Sequence, residues 1–176
     1  MSKRLDVRGL VVALVVLMVA ACAAPVPLAD KESDAAGKRF EPPPSGLARL
    51  YVYQGPCSPS STSVAGPAIV VNPGTCGAND VFLRKDNQQA QNLGRLGRQN
   101  WLSVDVAPGE YDIWCDQGAR VKKIALAAGE QIFVSLLRSK ESDFLGFKVE
   151  FTCQAQTVAP QGGMVAIKER QRVRAP

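Results

Sequence analysis

Apolar and polar positions divide the chain into three regimes. Gly9 to Ala21 is an unbroken uncharged run, residues 23–45 hold no sustained period, and from Leu47 onward short runs alternate apolar and polar residues. A period of two marks a half-buried strand, because successive side chains of an extended chain point to opposite faces. Over Leu47 to Gln54 it sets Leu47, Arg49, Tyr51 and Tyr53 against Ala48, Leu50 and Val52. The same reasoning predicts strands at 67–71, 81–84, 101–106, 110–115, 120–126, 131–138, 144–153 and 164–168. Pro108-Gly109 is a turn pair, so 101–106 and 110–115 are expected to form a hairpin, and Ala127 to Glu130 reads as another turn. Residues 86–97 are polar and read as a loop. No helix is expected beyond the apolar N-terminal run. Many short strands broken by Gly and Pro define an all-β chain, and the expected architecture is an antiparallel β-sandwich.

The apolar run has the character of an address. Lys3, Arg4 and Arg8 precede it. As a helix it would rise about 20 Å, at ~1.5 Å per residue, short of a ~30 Å hydrocarbon core. A basic start, a short apolar centre and small residues at the end are the layout of a signal peptide, assigned here to residues 1–21. The segment closes Val19-Ala20-Ala21-Cys22, which resembles the lipobox of bacterial lipoproteins. That resemblance implies lipidation at Cys22: the thiol takes a diacylglyceryl group and the freed amine a further acyl chain such as palmitate. Ala23 stands where an Asp marks inner-membrane retention, so the implied location is the outer membrane, periplasmic side. Residues 22–45 then read as the lipidated cysteine and a flexible Pro/Ala-rich tether. Pro42-Pro43-Pro44 favours extended polyproline geometry, and a flexible chain of this length would span roughly 25 Å. Phe40 is the one residue of the tether suited to packing on a domain.

Five cysteines are present, and setting Cys22 aside leaves Cys57, Cys76, Cys115 and Cys153. In an oxidising compartment an even number implies disulfides. Alternation places Cys115 on the face of Tyr111 and Ile113, and Cys153 on the face of Phe147, Val149 and Phe151. Both ride with apolar residues, so the expected pairs are Cys115–Cys153 in the core and Cys57–Cys76 across a Ser/Pro/Gly-rich stretch. No Cys-x-x-Cys spacing for a metal or redox site occurs.

Composition narrows the chemistry. There is no histidine, which removes His general bases, Ser-His-Asp triads and His-ligated metals. The formal charge of +5 sits at the two ends, in Lys3, Arg4 and Arg8 against Asp6 and in Lys168, Arg170, Arg172 and Arg174 against Glu169; the interval between is neutral. A nucleic-acid binder carries its basic residues along a face of the fold, so no nucleic-acid partner is expected. The basic end at 171–176 reads as a solvated tail. Gly94-Arg95-Leu96-Gly97-Arg98 lacks phosphate-loop spacing, and no Ser-x-x-Lys acylating motif appears. Glu110 and Asp112 share one side of a strand and read as solvent-facing, as do Lys122 and Lys123. Trp101, Trp114, Tyr51 and Tyr53 are candidates for an aromatic patch, with packing in the core or under a loop the favoured reading, and Trp114 lies on the face opposite Cys115. No catalytic residue, cofactor or metal site is expected.

Several segments together resemble a family. Ala48-Arg49-Leu50-Tyr51-Val52-Tyr53 opens the domain. Leu93-Gly94-Arg95-Leu96 precedes Trp101, Val104-Asp105-Val106-Ala107-Pro108-Gly109-Glu110-Tyr111 follows, and Leu126-Ala127-Ala128-Gly129-Glu130 leads into an apolar strand. This is similar to an uncharacterised bacterial lipoprotein domain found behind lipoboxes. Its marks are an Ala-Arg-x-Tyr-x-Tyr opening, a Pro-Gly hairpin and an Ala-Gly-Glu turn. The resemblance implies an immunoglobulin-like or transthyretin-like sandwich over residues 46–170, and no reaction. The expected function is a non-enzymatic, outer-membrane-anchored interaction or structural module. Its expected partners are the membrane, through the lipid anchor, and an envelope protein. Two rivals are a periplasmic inhibitor or accessory subunit of an envelope or secretion machine, and a cell-wall or glycan-acting enzyme using carboxylates.

Overall fold

The computed structural model describes residues 26–58, 77–116, 120–142 and 149–174. Its strands are β1 (Ala48–Ser58), β2 (Asn79–Lys85), β3 (Gln91–Leu96), β4 (Asn100–Val106), β5 (Gly109–Cys115), β6 (Lys122–Leu126), β7 (Gln131–Ser142), β8 (Val149–Val158) and β9 (Gln171–Arg172). Two short helices, α1 (Lys31–Gly37) and α2 (Pro160–Lys168), accompany them. The strands form a five-stranded sheet, β8-β7-β1-β4-β9, and a four-stranded sheet, β3-β2-β5-β6. The fold is the expected all-β sandwich. Pairing is antiparallel except that β1 runs parallel to β7 and β9 runs parallel to β4.

Alternation builds the core. Ala48, Leu50 and Val52 of β1, Leu102 of β4, and Val134 and Leu136 of β7 meet Val81 and Leu83 of β2, Tyr111 and Ile113 of β5, and Ile124 and Leu126 of β6. Each is almost fully buried, and burying such a side chain is worth ~1.5–3 kcal/mol. Cys115 and Cys153 join β5 to β8 by a disulfide, with Cα atoms 5.9 Å apart, as their shared apolar faces predicted.

Several expectations are corrected. The 101–106 and 110–115 strands are not a hairpin: β4 pairs with β1, and β5 with β2 and β6, so residues 107–108 carry the chain from one sheet to the other. The turn at 127–130 likewise links β6 in one sheet to β7 in the other. Residues 91–96, read as loop, form the edge strand β3, whose Leu93 and Leu96 point inward while the rest stays polar. Residues 164–168, read as a strand, belong to α2; Pro160 at its first turn presets the helical φ. The strand expected at 144–153 lies at Val149–Val158, and that at 67–71 falls outside the described residues.

The largest correction concerns the tether. From Val26 onward it is folded onto the sandwich. Asp30 caps α1 by accepting the Ser33 amide at 2.8 Å, and Ala29 donates to the Arg172 carbonyl at 3.0 Å. The basic tail is also part of the body: Gln171–Arg172 is a strand and Val173 is buried.

Candidate functional site

The two sheets differ in what lies on their outer faces. On the five-stranded sheet, Tyr51 and Tyr53 of β1, Trp101 of β4 and Phe133 of β7 form a second buried cluster with Ile167 of α2. Tyr51 and Phe133 stack with ring centroids 4.8 Å apart, and Phe40 closes over them at 5.5 and 6.0 Å. Phe40 holds φ at 52°, a left-handed conformation costly to a bulky residue, while its ring fills this aromatic roof. The following residues are strapped down. Gln131 donates to the carbonyls of Phe40 and Glu41, and Arg49 donates to the Glu41 carbonyl and forks onto Asp105 at 2.6 and 2.8 Å. That fork holds the Arg49 guanidinium above its ordinary range. Burial pushes the Tyr51 hydroxyl up, against the pull of Arg49.

The cations of the C-terminal run are committed to this roof. Arg170 lies 5.0 Å above the Tyr53 ring and donates to the Gln54 and Ala166 carbonyls. Arg172 lies 5.4 Å above the Trp101 ring and donates to Ser103 Oγ at 3.0 Å. Such contacts contribute ~0.5–2 kcal/mol each. Asp34 of α1 locks the corner: the Trp101 indole donates to it at 3.0 Å, the Arg172 amide at 2.7 Å and Lys38 at 2.7 Å. Burial alone would raise the Asp34 carboxyl. The three donors outweigh it and hold the group below its ordinary value.

The four-stranded sheet has a different outer face, for both helices pack on the other sheet. Strand register lays out its side chains in rows. Phe82 of β2 sits between Asn92 of β3 and Trp114 of β5; one step along, Asp112 of β5 sits between Arg84 of β2 and Lys123 of β6. Phe82 and Trp114 stack at 5.6 Å and 17°, and the Arg84 guanidinium lies 5.5 Å over the Trp114 ring. Arg84 also donates to Asp112 at 2.7 Å. With Arg84 41% exposed, that pair adds under ~1 kcal/mol of stability; its effect is to fix the guanidinium over the ring. Phe82 and Trp114 are half-buried, leaving part of each accessible. Beside them a groove of about 480 Å³ is lined by Arg84, Asp86, Asn87, Glu110, Asp112 and Lys123. The arrangement can stack an apolar or planar group and offer it flanking donors and acceptors.

Of the residues singled out from sequence, Cys115 and Cys153 meet as a structural bridge. Cys22 and Cys76 lie outside the described residues, as does the side chain of Cys57. Trp101, Tyr51 and Tyr53 are packed, as favoured, but under helices and arginines on an outer face rather than between the sheets. Trp114 is the aromatic that reaches the surface. Phe82 and Arg84 were not singled out as site residues, although Phe82 and Arg84 alternate with core residues Val81 and Leu83 and so had to face outward. Among the described residues no group of acidic or cysteine side chains is arranged to hold a metal ion.

By architecture this is a two-sheet β-sandwich with one outer face roofed by helices and the other carrying an aromatic and charged platform. A scan against models of protein families, a search of curated proteins and a search of solved structures each returned no match.

Proposed function

We propose that the protein is a lipid-anchored, non-enzymatic interaction module of the bacterial envelope. Cys22 would hold it to the periplasmic side of the outer membrane, and the Phe82–Trp114 platform would receive an envelope protein. The observation that carries the second half is the asymmetry of the two outer faces. A stacked aromatic pair with an arginine pinned above it, partly exposed on the outer face of a sheet, has the composition of an interface hot spot. Arg, Trp and Tyr are enriched at such centres, and a rigid ring buries large area at little loss of conformational freedom, while Arg84 is already held in place by Asp112. The lipobox-like Val19-Ala20-Ala21-Cys22 supports the anchor, and the disulfide fits an oxidising compartment.

A photo-crosslinking residue placed at Asn92, beside Phe82, tests the reading in cells making the full chain. The expected result is one reproducible envelope protein joined at this position and not from Val165, which is exposed on the roof of the other sheet. Trp114→Ala should abolish the adduct while the protein stays folded. Equal adducts from both positions, or none, would remove the platform from the proposal.

A further inference from the structure

We propose that the sandwich edge carrying Leu28, Arg98 and Arg174 rests on the anionic phospholipid headgroups of the membrane that holds Cys22. The inference depends on the lipid-anchor reading above and deepens it. Its basis is the shortness of the leash. Val26 already packs on the core, Leu28 bridges Val173, and Arg174 donates to the Pro27 carbonyl at 2.9 Å. Only Ala23, Ala24 and Pro25 separate Cys22 from the folded body. Fully extended, the steps from Cys22 to Val26 reach about 14 Å. The headgroup layer of one leaflet takes up about 6 Å of that, being half the difference between full and hydrocarbon thickness. Val26 would therefore stand no more than about 8 Å beyond the lipid surface, which is close to one screening length at physiological salt.

What lies at that edge suits the surface it must face. Leu28 is 48% exposed. Arg174 is exposed and bonded through its backbone to the same segment. Arg98 is exposed and follows Gly97, whose Cβ position lies 3.7 Å from Val26 Cγ2. Neither Arg98 nor Arg174 is in an ion pair among the described residues, in contrast to Arg170 and Arg172, which are held over rings. Asp30, the acid of the same segment, is committed to capping α1. An apolar side chain flanked by two arginines is the composition of a shallow interfacial contact, and each arginine near an anionic surface shifts its partition about fivefold. The acyl chains would do the anchoring and the arginines would set the orientation. The edge formed by β6 and β8, with Val121 beside it, would then face away from the lipid.

The test uses the full lipidated protein reconstituted into vesicles of phosphatidylcholine with or without phosphatidylglycerol, probed by hydroxyl-radical footprinting. Intact mass is measured first, and the absence of acyl mass at Cys22 overturns the anchor reading itself. With acylation present, the expected result is several-fold protection of Leu28 in phosphatidylglycerol vesicles relative to detergent, with Val121 unprotected. Arg98→Glu with Arg174→Glu should erase the difference between the two lipids and leave the fold unchanged by circular dichroism. An acylated protein whose Leu28 stays unprotected, or is protected equally by both lipids, overturns the headgroup contact while leaving the anchor intact.

Discussion

Asp34 concentrates more of the architecture than any neighbouring residue of its segment. One carboxylate receives the Trp101 indole, the Arg172 amide and Lys38, so it joins α1 to β4 and β9. Its folded pKa lies below the unfolded value of 3.8. The stability it contributes is therefore present above that value and is lost as pH falls through the folded pKa. Asp34→Asn keeps the shape and removes the charge, and should cost about 1–3 kcal/mol at neutral pH. Urea titrations from pH 7 down to pH 3 check this. The gap between wild type and variant should hold constant above about pH 5 and begin to narrow as pH falls past the unfolded value of 3.8, and a gap that does not narrow there would contradict the assignment. Asp30, three residues before Ser33, and the Ala35-Ala36-Gly37 run are local helix signals that the reading of residues 22–45 as a tether did not use, and the packing partners of α1 lie far along the chain.

At the scale of elements, α2 shows why local propensity misled. Gly162-Gly163 inside Pro160–Lys168 disfavours a helix, since each glycine costs ~1 kcal/mol against alanine. Close approach to the sheet explains one of them. A Cβ at Gly163 would lie 2.5 Å from the Phe133 ring, which is itself buried, whereas at Gly162 it would meet Val158 Cγ1 at an ordinary 3.5 Å. The two alanine variants should thus move in opposite directions. Gly163→Ala is expected to destabilise by about 1–3 kcal/mol through overpacking. Gly162→Ala should stabilise by up to about 1 kcal/mol through helix propensity. Thermal unfolding of the two single variants decides it, and equal shifts would sink the packing argument. The strand β3 has a related history: as an edge strand only Leu93 and Leu96 needed to be apolar, and two inward residues in a polar stretch do not make a period.

For the whole molecule, the Cys115–Cys153 bridge ties the sheets together at the edge opposite the N-terminal segment. It spans 38 residues of sequence, for which the chain-entropy estimate is about 4 kcal/mol. Cys115→Ala combined with Cys153→Ala should lower unfolding stability by that order in denaturant titrations. An unchanged midpoint would mean that the sandwich holds without its staple. Under the lipid anchor proposed above, a chain of 23 free residues would hold the domain off the surface, whereas a segment already packed on the core at Val26 would hold it close.

Much was settled by the sequence alone. Alternation gave the all-β class, the two-sided split of β1, the inward face of β5 and the pairing of Cys115 with Cys153, because period-two burial is a local property of an extended chain. Only the tertiary structure decided which strands pair. A short turn can close a hairpin at ~4.8 Å or carry the chain to a facing sheet at ~10 Å, and the turn residues are the same for both. Only it decided that a proline-rich segment and a basic tail pack on the body. Their partners, Tyr51, Trp101 and Phe133, are dispersed along the chain and meet as one surface only after the sheet has formed.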